Sequence, residues 1–229
     1  MRYGTITGLR RHPAIPPSVP WVLPFGVFIL MLAIQPYLPL PAPVRFLISM
    51  AAIFAVSREP LRARPSSPLL SILLGLAVFA VWIGPDVIAP AWRTSILFNN
   101  PVVGHPAGNT PPDLKNDAIF LSFRIAISVI AVPILEELFW RGWLMRWLIS
   151  PRFETIPLGT WSAPAFWIVA LLFASEHGPY WDVGLAAGVV YNWWMVRTSS
   201  LGDLIAAHAV TNACLSAYVV WSGRWEYWL

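Results

Sequence analysis

The segment PILEELFWRGWLMRW (133–147) places Glu136, Glu137 and Arg141 inside an apolar run. An ionisable side chain at the centre of a bilayer costs at least about 2.5 kcal/mol, so each of these charges needs a physical reason. In a helix, Glu137 and Arg141 lie on one face, where their charges can pair, whereas Glu136 is rotated away by about 100°. This spacing favours an internal ion pair beside a carboxylate that is free for chemistry. The alternative is a helix end whose charges all reach interfacial water.

Two later apolar runs carry further polar residues. The stretch FASEHG contributes Glu176 and His177 at a helix end, and HAVTN places His208 and Asn212 four residues apart on one helix face. A histidine at a helix end is commonly interfacial, and His or Asn inside a span commonly joins helices by hydrogen bonds. Each group alone therefore also has a structural interpretation. Asn192 and Glu176 are further candidates for lining the same cavity.

Together, an acid, two histidines and an asparagine on three spans are sufficient for hydrolysis without a covalent intermediate. Glu136 can act as the general base on a water molecule that His177 helps to hold and polarise. His208 and Asn212 can donate hydrogen bonds to the oxyanion that develops on a peptide carbonyl. Zinc is the competing chemistry, but no HExxH motif occurs and Asn is a poor zinc ligand, so a site without metal or other cofactor is favoured.

The elements that must position these residues are membrane-spanning helices. Of 229 residues, 57% are hydrophobic and only 11% charged, and the mean hydropathy is +0.63. Such a composition with long apolar runs predicts an all-α, polytopic transmembrane helix bundle that contacts the lipid bilayer. The net charge of +4 comes mostly from arginines between the runs, so it encodes topology and indicates no nucleic-acid partner.

The apolar runs predict about seven spans, with six to eight as the range, in one domain over 21–229. They cover 21–40, 43–57, 68–89, 118–149, 162–177, 183–197 and 201–221. Residues 1–20 form a basic, proline-rich tail, and 90–117 form the one long loop. The run 118–149 exceeds the roughly 20 residues of an upright span, so it either tilts or begins along the interface. Pro133 within it is expected to kink the helix and open a water-accessible notch.

Arginines predict the orientation of the bundle. One side carries the tail and Arg58, Arg62, Arg64, Arg141, Arg146, Arg152 and Arg197, whereas the other carries Arg45, Arg93, Lys115 and Arg224. The positive-inside rule then puts the N-terminus in the cytoplasm and the C-terminus outside. Glu136 and His177 would lie nearer the extracytoplasmic half. Arg124, inside a run, is expected to extend its charge towards water.

Three motifs follow one another on successive apolar helices: EExxxR at 136–141, FxxxH at 173–177 and HxxxN at 208–212. This combination, within 118–221, resembles the CAAX prenyl protease and bacteriocin-processing (CPBP) family of glutamic-type intramembrane endopeptidases. The resemblance implies that Glu136 activates water with His177 as its partner. It also implies that His208 and Asn212 bind the oxyanion. The remaining motif residues would support them: Glu137, Arg141 and Phe173.

Two longer segments, WVLPFGVFILMLAIQPYL at 21–38 and the stretch 175–220, further resemble the CAAX protease-related branch that accompanies bacterial exosortase systems. That branch implies a bacterial cytoplasmic membrane and a membrane-anchored protein or peptide substrate. Relatives that trim prenylated proteins act on a cytosolic C-terminus, which conflicts with the arginine-based orientation. Other functions also fit the polar residues: a catalytically silent scaffold or immunity-type binding protein, or a transporter or proton relay. The substrate and the oligomeric state stay open.

Overall fold

The computed structural model describes residues 15–62, 64–108 and 110–228. Within this part of the chain, seven helices form the bundle and no strand is present, which confirms the all-α prediction. Most of the tail predicted over 1–20 lies outside the described residues, and the first helix already begins at Val19. The helices are α1 (Val19–Ile34), α2 (Ala42–Val56), α3 (Pro68–Ile88), α4 (Ala118–Trp147), α5 (Ala163–Ser175), α6 (Trp181–Thr198) and α7 (Leu201–Ser222).

Three of these helices, α3, α4 and α7, are long and apolar enough to cross a membrane, and α1, α2 and α5 are shorter apolar helices. Helix α4 has 30 residues and runs without a break. At about 1.5 Å per residue it is longer than a hydrocarbon core of about 30 Å, so it must tilt or protrude. The sequence also allowed a separate interfacial segment that turns before this span, but the helix is continuous from Ala118.

The chain reverses direction after each helix, through short connections except for the long loop after α3, and the bundle therefore has two ends. The end at which α1 begins, which we call the amino end, also carries 57–62, 64–67, 148–162 and 199–200. The opposite end, which we call the loop end, carries 35–41, 89–108, 110–117, 176–180 and 223–228.

A buried carboxylate fixes the amino end of α3 and α7. Asp203 accepts hydrogen bonds from the backbone N–H groups of Ser66 and Ser67, each at 2.8 Å, and from the hydroxyl of Ser71 at 3.0 Å. Below it the two helices touch at Gly75, where an added Cβ would lie 2.4 Å from a backbone oxygen of α7. Small residues permit such close helix approach in membranes. Helix α7, with its polar residues, is therefore held at a fixed depth against α3.

A second ionic network fixes the loop end. The Arg93 guanidinium donates to Asp86 at 3.0 Å, to Asp182 at 2.5 Å and to the carbonyl of Pro179 at 2.8 Å. The hydroxyl of Tyr227 donates to the other oxygen of Asp86 at 2.8 Å. These bonds join the long loop and the C-terminal segment to the turn that follows α5. That turn contains His177.

Candidate active site

Helix α4 forms one wall of the site, and its backbone departs from a regular α-helix in two places. Two π-helical turns, Ile127–Ala131 and Leu138–Leu144, flank the α-helical residues that contain the two glutamates. In the first turn the N–H of Val132 bonds to the carbonyl of Ile127, five residues back. The same register would pair Pro133 with Ser128, but proline has no N–H. The carbonyl of Ser128 instead accepts a hydrogen bond from the Asn212 side-chain amide at 2.8 Å.

Glu137 is fully paired. Both of its oxygens accept hydrogen bonds from Nη1 of Arg141, at 3.2 and 3.1 Å, and both side chains have no exposed surface. One oxygen also lies 2.8 Å from Nδ1 of His208. A carboxylate can only accept, so this contact assigns the Nδ1 proton to the histidine. Glu137 thus serves as an anchor for two side chains, one on its own helix and one on α7.

Arg141 is held by neighbours on two other helices. Its Nε donates to the Asn192 carbonyl oxygen at 2.8 Å, and its guanidinium lies over the ring of Phe173 at 4.5 Å. The amide of Asn192 donates in turn to the carbonyl of Phe166 at 2.7 Å. The sequence left two roles open for Asn192, lining the cavity or cross-linking helices, and its contacts are those of a cross-link. It is completely buried behind Arg141, and both ends of its amide are used to connect α4, α5 and α6.

His208 presents its second nitrogen to the other glutamate. Nε2 lies 4.0 Å from Oε2 of Glu136. The imidazole ring stacks on Tyr191 with 5.1 Å between ring centres, and the hydroxyl of Tyr191 donates to Thr211 at 2.8 Å. Anchored at Nδ1 and stacked on one face, the ring has little freedom to rotate. Its Nε2 is therefore held towards the cavity, beside Glu136.

Glu136 differs from its neighbour in having no such partner. Its Oε2 is buried and makes no hydrogen bond to any described residue, and its side chain is 13% exposed. A buried polar atom without a partner is unusual in a native structure and calls for an explanation. The carboxylate faces a cavity, which is where a reacting molecule would complete its hydrogen bonds.

His177 follows the last turn of α5 and also faces this cavity. Its Nδ1 lies 2.8 Å from the carbonyl of Phe173, so that nitrogen carries the proton and Nε2 keeps a lone pair in the neutral ring. Trp82 packs its edge against the ring, with centres 5.1 Å apart. On the other side, a Cβ at Gly184 would lie 3.0 Å from Nδ1. The histidine is thus clamped between α3 and α6, and Gly184 leaves the room that it needs.

A cavity of about 1080 Å³ joins the predicted residues. It is large enough for water and a peptide segment, since ligand cavities commonly measure about 300–1,000 Å³. From its deepest part it extends towards the loop end, where residues of the α1–α2 turn and of the C-terminal segment border it. No residue of the amino-end connections is among the described residues that line it. The sequence-predicted residues on its wall are Glu136, Phe173, Glu176, His177, His208 and Asn212.

Residue counts give the position of Glu136 along its helix. Glu136 follows the loop-end start of α4 by 18 residues and precedes its amino-end terminus by 11. His208 likewise comes only 7 residues after the amino-end start of α7. Both residues therefore lie nearer the amino end of the bundle, whereas His177 lies at the loop end, where α5 ends. Which of the two ends is extracytoplasmic stays a prediction from the arginines.

Sequence reasoning missed three residues that shape the site. Tyr191 directly precedes Asn192, and Thr211 directly precedes Asn212. Their positions next to predicted polar residues were therefore a signal that the sequence offered. Trp82 has none, because one tryptophan among 14 in an apolar chain is uninformative until α3 is packed against α5.

Comparison with known proteins gives a family match for part of the chain. Residues 118–214 match the family model described as type II CAAX prenyl endopeptidase Rce1-like. No curated protein and no solved structure matches the chain. The matched segment begins at the first residue of α4 and contains all three motifs. The predicted family resemblance is thus confirmed for the segment of α4–α7 that builds this site.

Proposed function

We propose that the protein is an intramembrane endopeptidase that hydrolyses a peptide bond of a membrane-associated protein through water activated by Glu136. The observation that carries this proposal is the contrast between the two glutamates. Glu137 is neutralised by Arg141 and bonded to His208, whereas Glu136 is unpartnered on the wall of a cavity. A general base must be able to reach the water that it deprotonates, and of these two glutamates only Glu136 meets this condition.

In the first step, Glu136 takes a proton from water while the water oxygen bonds to the carbonyl carbon of the substrate. The π electrons of the carbonyl move to its oxygen and form the oxyanion. His177 accepts a hydrogen bond from the second O–H of the water through Nε2, which has a lone pair because Nδ1 donates to the carbonyl of Phe173. This contact orients the attacking lone pair of the water towards the carbonyl.

The oxyanion would be stabilised from α7. Asn212 has a second amide hydrogen besides the one donated to Ser128, and that hydrogen is available to the oxyanion. His208 donates through Nε2 when its ring is protonated, since Nδ1 is already committed to Glu137. Donors fixed in advance at a dry site stabilise a developing charge more effectively than water does. The intermediate then collapses, the C–N bond breaks and Glu136 returns its proton to the leaving amine.

The proposed chemistry uses no metal and no other cofactor. Among the described residues, no group of three or more His, Cys, Asp or Glu side chains is arranged to hold a metal ion. A strong chelator should therefore leave the cleavage rate unchanged. A rate that fell with the chelator and returned with added zinc would refute this part of the proposal.

We further propose a bacterial cytoplasmic membrane as the location and an exported, membrane-anchored protein as the substrate. The cytoplasmic amino end follows from the arginine distribution, and the cavity opens at the opposite end. The association with an exosortase system is supported by the sequence resemblance alone.

Glu136→Gln tests the function directly, because it removes the base and preserves the shape of the side chain. We expect cleavage to fall by about 10²–10⁴-fold, the usual contribution of general acid–base catalysis. New peptide ends should be captured by mass spectrometry from membranes that contain either the unchanged protein or the variant. Thermal unfolding in detergent should show that the variant is folded.

Glu154→Gln is the matched control, since this glutamate is exposed in the connection at the amino end. It should leave the product pattern unchanged. Full activity of Glu136→Gln would contradict the assignment of the base. Identical peptide ends with and without the protein would instead favour a silent scaffold.

A further inference from the structure

Two arginines line the part of the cavity near the loop end. Arg45 belongs to the first turn of α2 and Arg124 to the second turn of α4. Phe46 follows Arg45, and Phe123 precedes Arg124. These two rings pack edge to face with 5.8 Å between their centres. Both arginines border the same cavity as Glu136. The packing of α2 on α4 therefore brings two cations to one region of the wall.

Neither arginine has a carboxylate partner among the described residues. Arg93, Arg141 and Arg224 each bond to an acidic side chain. Between described residues, no ion pair or side-chain hydrogen bond involves the guanidinium of Arg45 or Arg124, and the buried Nε of Arg45 has no partner there.

The other contacts of this pair do not compensate the charge. Arg124 lies over the ring of Trp228 at 5.2 Å, an aromatic contact that supplies no negative charge. Burying charge without compensation is costly. A pair of cations kept in this state on a cavity wall indicates a binding site for an anion.

The distance from the base limits what that anion can belong to. Arg124 precedes Glu136 by 12 residues on the same helix, which corresponds to about 18 Å along the axis. An extended peptide advances about 3.3 Å per residue, so about five residues cover this distance. One cavity contains both ends of the path, so a peptide with its scissile bond at Glu136 can reach the arginines.

We propose that Arg45 and Arg124 bind a carboxylate of the substrate about five residues from the scissile bond. The carboxylate is either the free C-terminus of the substrate or an acidic side chain at that position, because a guanidinium binds both in the same way. This subsite rests on the proposed protease function and adds a requirement on the substrate. It fixes the position of the cut by length and charge.

The first test uses a pool of random decapeptides with free C-termini and the same pool with amidated C-termini. The purified protein in detergent is incubated with each pool, and the products are sequenced by mass spectrometry. We expect cuts about five residues from a carboxylate. In the free pool that carboxylate can be the C-terminus, and in either pool it can be an Asp or Glu side chain on either side of the cut. Arg124→Gln should slow these cuts by at least about ten-fold, since it removes charged hydrogen bonds.

Arg124→Lys and Arg152→Gln are the controls. Lysine keeps the charge and should restore part of the rate, whereas Arg152 is exposed at the amino end and its variant should behave like the unchanged protein. Equal cutting of both pools without any preference for acidic positions would overturn the subsite and leave the protease intact. The absence of cuts by the unchanged protein would count against the proposed function.

The second test measures binding and does not depend on cleavage. The Glu136→Gln protein is mixed with an apolar hexapeptide that has a free C-terminus, with its amidated form, or with phosphatidylglycerol micelles. The free acid should raise the unfolding temperature and the amide should not, and Arg124→Gln should remove the difference. No difference between the two peptides would refute the carboxylate site. A shift produced by phosphatidylglycerol alone would show that the arginines bind a lipid, which also refutes it.

Discussion

At the scale of single residues, two adjacent glutamates have opposite surroundings. Glu137 has no exposed surface and contacts Arg141 and His208, whereas Glu136 has a buried oxygen with no partner. Their difference in role follows from the 100° or so between successive helical side chains, which turns one inward and the other to the cavity. The chemistry of the residues is the same, and only the direction differs.

The pair formed by Glu137 and Arg141 should be more important for stability than for catalysis. Glu137→Ala or Arg141→Ala leaves one charge buried without a partner, which typically lowers the free energy of unfolding by about 3–5 kcal/mol. Both variants should also lose activity, because His208 and Phe173 would lose the groups that hold them. Thermal unfolding in detergent and capture of cleaved peptide ends would measure the two effects.

The double variant Glu137→Leu with Arg141→Leu separates the two effects. Replacing both charges with apolar side chains leaves no unpaired charge, so most of the lost stability should return. Activity should not return, because Nδ1 of His208 still has no acceptor. A double variant as unstable as the single variants would contradict the view that the cost comes from the unpaired charge.

At the scale of helices, two prolines interrupt backbone hydrogen bonding in the same way. Pro24 lies in α1 and leaves the carbonyl of Pro20 without an intrahelical donor, and the hydroxyl of Ser57 donates to that carbonyl at 2.6 Å. Pro133 has the same effect on Ser128, whose partner is the side chain of Asn212. Neighbouring helices commonly satisfy carbonyls freed by proline in membrane proteins. Only the second instance borders the cavity.

Pro133→Ala should therefore uncouple stability from activity. The restored N–H can bond to Ser128 within α4, so the free energy of unfolding should rise by up to about 3 kcal/mol. Asn212 would lose its acceptor and its fixed position, and the cleavage rate should fall by about 10²-fold, as when an oxyanion donor is removed. Unfolding and cleavage should be measured on the same preparation.

Pro24→Ala is the matched control, because it restores the equivalent bond near the amino end of α1. It should change stability without changing the cleavage rate. Undiminished cleavage by Pro133→Ala would show that the position of Asn212 does not depend on the freed carbonyl.

At the scale of the whole molecule, the distribution of positive charge needs one correction. Arg141 and Arg146 were counted with the amino-end loops, but both are buried, Arg141 in the site and Arg146 against Trp21 and Phe153. The exposed arginines that remain at this end are Arg58, Arg62, Arg64, Arg152 and Arg197. The excess at the amino end persists after the correction, because Arg93 at the loop end is also buried.

Cysteine labelling should test this orientation in intact cells. In a Cys214→Ser background, Val102→Cys marks the loop end at a residue that is 92% exposed, and Arg152→Cys marks the amino end. A membrane-impermeant maleimide should label position 102 and not position 152. The reason is that the positive-inside rule keeps the amino end in the cytoplasm, beyond the reach of the reagent.

Permeabilised cells provide the control, since both positions should then react. The reverse pattern, with position 152 labelled in intact cells, would place the open end of the cavity in the cytoplasm. The proposal of an exported substrate would then be wrong.

The sequence by itself determined the fold class, the family resemblance and the candidate residues for chemistry. Long apolar runs leave helices as the element that can satisfy the backbone in lipid, and charges within them are too costly to be accidental. Helical periodicity by itself also separates the side chain of Glu136 from that of Glu137. These features are local, so a pattern of neighbouring residues contains them.

Only the tertiary structure decided what each polar group contacts. Asn192 supports Arg141 away from the cavity, His208 joins the two glutamates, and Asn212 compensates for a proline on α4. The depth of Glu136 and the closeness of Arg45 to Arg124 depend likewise on how the helices are tilted and packed. Contacts between distant residues are set by helix packing, which depends on the shape of every side chain at the interface and leaves no local pattern to read.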